Sequence, residues 1–190
     1  MLHSLEHRMR GFALFRENLR RSKGIRRDLA EQCGEIAFRC GRRADLKRVE
    51  QLYARVFRLP MPGWLRWVYM FRAQELMSIA ENRDGGLVGF DLFMFQEAEL
   101  GQGIVHELYV AVDPAWQGQG ISTKLRRYSA RCYDKNVLQG ISTLAAFDDI
   151  KALRSAQGAG FAITKASAKP PAHYLFMALS PAHSAQSQPS

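Results

Sequence analysis

The stretch Glu107-Leu-Tyr-Val-Ala-Val-Asp-Pro-Ala-Trp-Gln-Gly-Gln-Gly-Ile-Ser-Thr-Lys-Leu125 constrains this chain more than any other. Ile104, Val105, Leu108, Val110 and Val112 supply the β-branched and apolar density of a strand. Asp113-Pro114 ends that run, because proline cannot donate to the next ladder bond. Gln117-Gly118-Gln119-Gly120 then lacks a Cβ at two positions, so the backbone can turn tightly and approach a ligand closely. Ile121, Leu125, Tyr128 and Cys132 recur at helical spacing, with Lys124, Arg126, Arg127 and Arg131 off that face or beside it. The helix start carries unpaired N–H groups and partial positive charge, so phosphate is its natural guest.

Two familiar phosphate loops do not fit. The dinucleotide fingerprint needs a third glycine where this chain has Thr123, and no Gly-Lys-Ser/Thr tripeptide of a nucleotide P-loop occurs.

Gln117-x-x-Gly120-x-Ser122, behind a Val-x-Val-Asp-Pro strand end, instead resembles motif A of the GNAT superfamily of acyl-coenzyme A N-acyltransferases. The family pattern is Arg/Gln-x-x-Gly-x-Gly/Ala, so Ser122 departs at the last, still small, position. Asp149-x-x-Ala152 followed by Gly160-Phe161 resembles the family's motif B, usually Asn-x-x-Ala with Gly-Phe eight residues after the alanine. The resemblance covers roughly Gly34 to Leu179. It implies acetyl-coenzyme A or a longer acyl-coenzyme A as donor and a small amine as acceptor. It places the pyrophosphate on Gln117, Gly118, Gln119, Gly120, Ile121 and Ser122, and pantetheine and the thioester carbonyl on backbone groups around Val110 and Val112. Asp149 takes the place of the motif B asparagine, keeping its acceptor and losing its amide donor. Trp64, Trp67, Tyr69, Met70 and Phe71 fall where the family builds part of its acceptor or acyl pocket, although core packing explains such a segment equally well. Of these, Trp64, Trp67 and Phe71, together with Tyr109, are taken as substrate-lining.

The chemistry of acyl transfer from a thioester to an amine sets three needs. The ammonium must lose a proton, the oxyanion needs fixed donors, and the departing thiolate benefits from a proton. Glu107 is the best candidate for the proton acceptor, by the resemblance and because desolvation within an apolar strand favours that role. Strict alternation puts Glu107, Tyr109 and Ala111 on one strand face and His106, Leu108 and Val110 on the other. The bland alternative is a strand-end glutamate paired with an arginine. His106 reads more readily as a structural residue. The family's tyrosine, four residues before Gly-Phe, is replaced by Ala156; Tyr133, Ser155, His173 and Tyr174 are the substitutes available as proton donor. Cys132 shares its helix face with Ile121, Leu125 and Tyr128 and reads as a core thiol, not a nucleophile.

Organisation and charge complete the reading. A length of 190 residues suits one domain with an appendage. Scattered Cys33, Cys40 and Cys132 indicate neither a disulfide framework nor a zinc site, no metal is expected, and a reducing cytoplasm fits. No apolar run of membrane-spanning length and no export signal is seen. The net charge of +9 is concentrated at the N-terminus: residues 1–48 carry 13 Lys/Arg against 6 Asp/Glu. Leu2, Leu5, Met9, Phe12, Phe15 and Leu19 recur as on an amphipathic helix, and Gly24 separates a second short helical piece near Ile25–Cys33. Such a helix packs on the domain or on a second subunit, giving a homodimer. Alternatively it meets an acidic partner, such as an acyl carrier protein or an anionic membrane surface; nothing marks a sequence-specific nucleic-acid reader. The plan is therefore a basic helical extension over 1–33, an acyltransferase domain over 34–179 and a flexible tail over 180–190. The element order βα(α)βββαβαββ gives α/β with a mixed, mostly antiparallel central sheet flanked by helices, as in GNAT proteins.

Two other functions compete with a coenzyme A-dependent transfer to a small amine. One is long-chain N-acyl transfer from acyl carrier protein or acyl-coenzyme A, of the N-acyl amino acid type. The other is an acyl-coenzyme A-binding module without turnover.

Overall fold

The computed structural model describes residues 2–25, 27, 29–134, 137–168 and 170–180, without the side chains of 2–10 and 167. The side chains of Leu2, Leu5 and Met9, and all of the expected tail over 180–190 except Ser180, therefore lie outside what is described below. One eight-stranded sheet runs through the described residues in the order β1-β2-β3-β4-β5-β6-β8-β7. The strands are β1 Ala30–Cys33, β2 Ile36–Cys40, β3 Met77–Glu81, β4 Leu87–Met94, β5 Ile104–Val112, β6 Gly140–Ala146, β7 Ala162–Ala168 and β8 Pro171–Ala178. Every neighbouring pair is antiparallel except β5 and β6. The mixed, mostly antiparallel sheet expected from the sequence is present.

Helices cover both faces: α1 Leu2–Ser22, α2 Leu46–Phe57, α3 Gly63–Leu76, α4 Ile121–Tyr133 and α5 Ile150–Ala159. In α2, Leu46, Val49, Leu52 and Tyr53 are buried, as the apolar stripe required. Arg58 closes that helix in the left-handed region (φ 59°), and Pro60 and Pro62 prevent its continuation. In α4, Ile121, Leu125, Tyr128 and Cys132 are buried together against Phe38, Val88 and Val112, so Cys132 is a core thiol.

The N-terminal quarter departs from expectation. Residues 30–33 form the edge strand β1, paired with β2 through the Gly34 turn (φ 62°), where a helical piece was expected. The strand ladder there satisfies the backbone more fully than one isolated helical turn could. The N-terminal segment is also fastened to the rest. Buried Asn18 of α1 donates from Nδ2 to Phe95 O (3.0 Å), while Phe95 N donates to Asn18 Oδ1 (2.7 Å). Buried Arg27 donates from Nη1 to Met77 O (3.1 Å) and from Nη2 to Ser78 Oγ, with its guanidinium 4.4 Å from the Tyr133 ring centre. A boundary after residue 33 would thus cut through one sheet and one core. No helix among the described residues is long and apolar enough to cross a membrane.

Candidate active site

The site begins where β5 and β6 part. Their parallel pairing runs from Ile104↔Gly140 to Glu107↔Thr143 and stops there. Beyond that rung, Leu108, Tyr109 and Val110 on β5 and Leu144 on β6 are only half-buried. The antiparallel ladder fixes what β5 offers to this opening. Asp113 N donates to Val88 O (2.8 Å), and Ala111 pairs with Phe90 and Tyr109 with Leu92. Alternation along such a ladder directs the main-chain groups of Tyr109 and Ala111 to β4 and those of Val110 and Val112 to the open side. An extended, amide-bearing ligand could add there as a partial strand. Gln117 Nε2 donates to Val112 O (3.1 Å) and so ties the following loop to the strand end.

That loop leads directly to the start of α4. Gly118 and Gly120 take φ values of 81° and 71°, and a Cβ on either would meet nothing within 4 Å. Both positions therefore require glycine for conformation while leaving the space above the loop open. Gly120 is the N-cap residue of α4 and no side chain caps this helix start. The N–H groups of Ile121, Ser122 and Thr123 thus have no intrahelical acceptor, and exposed Lys124 adds positive charge beside them. Ser155 of α5 donates to Ser122 Oγ (2.8 Å) and joins the middle of α5 to the start of α4. These N–H groups and the Lys124 ammonium could together accept a diphosphate. Asp149 is spent locally: it caps α5 by accepting from Ala152 N (2.9 Å).

Glu107 stands at the vertex of the opening, but in a different setting from the one expected. A bulge lies between the rungs Leu92↔Tyr109 and Phe93↔Glu107, leaving Leu108 as the extra residue. Bulges reset strand alternation. Glu107 consequently points toward α4, whereas Tyr109 points to the other face, edge-on to Tyr53 of α2 (ring centres 5.0 Å apart). The expected shared face of Glu107 and Tyr109 is overturned by that single residue. Nor is the carboxylate in apolar surroundings. Arg126 Nε donates to both carboxylate oxygens (3.0 Å each), Arg126 Nη2 to Oε1 (2.8 Å), and Thr143 Oγ1 to Oε1 (3.1 Å). Both partners are almost fully buried. Burial opposes the Arg126 charge, but the Glu107 carboxylate outweighs it and holds the guanidinium above its ordinary pKa.

The aromatic residues of α3 also differ from expectation. Trp64, Trp67 and Phe71 are 38%, 53% and 54% exposed. Helical spacing gives the inner face to Leu65, Val68, Tyr69, Ala73 and Leu76, so these three form an outward, exposed stripe on α3 and do not belong to the core. The basic α1 lies against α3, where Arg72 Nε donates to Leu19 O (3.2 Å).

The substitutes for the missing tyrosine sort by position. Ala156 is fully buried. Tyr133 is buried and donates to Glu75 O (2.8 Å). His173 packs edge-on against Phe147. Tyr174 and His106 meet at the vertex, on the face opposite α4, together with Glu99. Glu99 escaped sequence reading because it lies in a short turn with no motif around it.

Comparison with family models finds no match, and comparison with curated proteins finds none. Solved structures do resemble this chain. Spermidine N-acetyltransferase from Vibrio cholerae superposes with a TM-score of 0.62 at 15% identity, over 82% of this chain and 100% of that one. Diaminobutyrate acetyltransferase EctA from Paenibacillus lautus, in complex with L-2,4-diaminobutyric acid and coenzyme A, gives 0.60 at 18% identity, over 76% and 94%. Ard1 from Thermoplasma volcanium gives 0.60 at 16% identity, over 76% and 98%. The chain shares the fold of these solved structures.

Proposed function

We propose that the protein is an N-acyltransferase that moves an acyl group from acyl-coenzyme A to a small amine by direct attack. The observation that carries this reading is the divergence of β5 and β6 beyond Glu107 and Thr143, which opens toward the uncapped start of α4. Structural neighbours named for spermidine and diaminobutyrate support an amine as acceptor, and one of them was solved with coenzyme A.

The pyrophosphate is held by the N–H groups from Gln117 to Ser122, with Lys124 nearby. The pantetheine amides lie along Val110 and Val112, and the thioester reaches the vertex. Arg126, Glu107 and Thr143 hold α4, β5 and β6 in register at that vertex. Glu107 is thus a positioning residue here, because its two oxygens are already engaged. Tyr109 lines the acceptor side beside Tyr53.

Calorimetry with acetyl-coenzyme A and longer acyl-coenzyme A, followed by mass spectrometry of amine products, tests the reading. Saturable binding and an acylated amine are expected. A protein that binds none of these donors is not an acyltransferase of this type.

A further inference from the structure

On the face of the vertex away from α4, four polar side chains arrive from four separate segments. Glu99 comes from the turn Glu97–Glu99 that follows β4, His106 from β5, Ser142 from β6 and Tyr174 from β8. The Tyr174 hydroxyl donates to Glu99 Oε1. His106 Nδ1 is 2.8 Å from Ser142 Oγ and 3.6 Å from Glu99 Oε2. Tyr174 pairs with Leu144, one residue beyond the last β5–β6 rung. Its hydroxyl nevertheless reaches a carboxylate beside His106 of β5. The phenol therefore crosses β6 at the point where the two strands part.

Burial grades across the cluster. Glu99, His106 and Ser142 are buried, while Tyr174 is half-buried. Glu99 Oε2 is buried and has no hydrogen-bond partner. Leaving a carboxylate oxygen in that state costs stability, and a catalytic role is one of the reasons such a group is kept. Burial, reinforced by the bond to Glu99, pushes the Tyr174 phenol up to about 12, so it keeps its proton at neutral pH. Burial pulls the His106 imidazole down against the pull of Glu99 and Glu107, which favours its neutral form.

We propose that Tyr174 and Glu99 form a proton relay at the vertex, which takes the proton of the attacking amine and returns it to the departing thiolate. This rests on the acyltransferase reading. The amine attacks as the free base, its ammonium proton having gone to solvent. Its nitrogen bonds to the thioester carbonyl carbon, and one N–H bond breaks as its proton passes to the Tyr174 oxygen and the phenolic proton moves to Glu99 Oε1. When the C–S bond breaks, its electron pair stays on sulfur. The relay then runs backward, from Glu99 to Tyr174 and from Tyr174 to sulfur, giving thiol and amide with no net proton gained by the protein. At no stage is a free tyrosinate needed. His106, bonded to Ser142, lies next to Glu99 without hydrogen-bonding its free oxygen. The arrangement supplies what Ala156 cannot.

The test compares wild type, Tyr174→Phe and Glu99→Gln with acetyl-coenzyme A and three amine probes: hydroxylamine, spermine and 2,4-diaminobutyrate. Thiol release, acetyl-coenzyme A Kd and thermal midpoint are read for each. Loss of one positioned proton-transfer group lowers kcat about 10²- to 10⁴-fold, and both variants are expected to show this with Kd and thermal midpoint essentially unchanged. Glu99→Gln keeps the side-chain shape and covers the case in which Tyr174→Phe fails to fold. Wild-type kcat in either folded variant, or a loss that tracks Kd or folding, overturns the relay alone. Absence of acetyl-coenzyme A binding, or of turnover with every probe, in the wild type overturns the acyltransferase reading and the relay with it.

Discussion

Arg126 of α4 and Glu107 of β5 form a buried, bidentate ion pair at the last rung joining β5 to β6. Thr143 of β6 donates to the same carboxylate, and Arg126 Nη1 reaches Ala152 O of α5 (3.4 Å). One carboxylate thus links two strands and two helices just where the sheet opens. Water is excluded from this pair, so its value lies in mutual compensation. Removing one charge strands the other.

Arg126→Met leaves Glu107 buried without its counter-charge and is expected to cost about 3–5 kcal/mol. Arg126→Met combined with Glu107→Leu should recover most of that loss, because the stranded charge is gone. Urea unfolding of each single variant and of the double variant measures the coupling. Simple additivity of the two single substitutions would contradict the pairing.

Asn18→Ala removes both bonds to the Phe95 backbone. A buried polar group left unpaired costs about 1–3 kcal/mol, and here two are left. Thermal unfolding should shift downward, and hydrogen exchange at the Phe95 amide should accelerate. Unchanged exchange at Phe95 would show that α1 is not fastened there.

Acid sensitivity follows from Asp45 and Glu81, which share Arg39 and Arg48. Burial raises both carboxyls, but the arginine hydrogen bonds prevail and hold each below its ordinary value of 3.8 and 4.5 respectively. A carboxyl depressed on folding contributes stability that is present above its unfolded value and lost as pH falls through the folded one. Stability should therefore be steady near neutrality and decline below about pH 4.5. Asp45→Asn should lower stability at neutral pH and flatten that decline. Chemical denaturation across this range is the measurement.

Gly120→Ala places a Cβ on a residue with φ 71°, at a conformational cost of about 1–2 kcal/mol. No protein atom lies within 4 Å of that Cβ, so the free protein should still fold. A diphosphate seated on the loop would meet the methyl group. Acetyl-coenzyme A affinity, read by calorimetry, is expected to fall at least about tenfold, or 1.4 kcal/mol. An equal Kd would place the anion elsewhere.

Much of this site could be read from residue order because its parts are local. The strand Ile104–Val112, the glycines at 118 and 120 and the helix from Ile121 are contiguous, and each follows from short-range sterics and periodicity. The orientation of Glu107 could not be read. One bulged residue, Leu108, decides it, and a bulge leaves no mark on an apolar alternation. Its partner Arg126 also reads as a solvated helix charge until α4 is laid on the sheet. Trp67 and Phe71 misled for the opposite reason: their apolar character suggests burial, while helical geometry gives the inner face of α3 to Leu65, Val68 and Tyr69. The Glu99–Tyr174 contact spans seventy-five residues, and β1 depends on pairing with β2. Neither has a signature in its own neighbourhood.

The central claim is that the loop at the start of α4 and the open side of β5 together hold an acyl-coenzyme A. Titrating the isotope-labelled protein with acetyl-coenzyme A and following backbone amide shifts tests it directly. Saturable shifts grouped at Val110, Val112 and residues 118–122 are the result expected. Absence of saturation, or shifts grouped on α1 and the outer face of α3, would contradict the account.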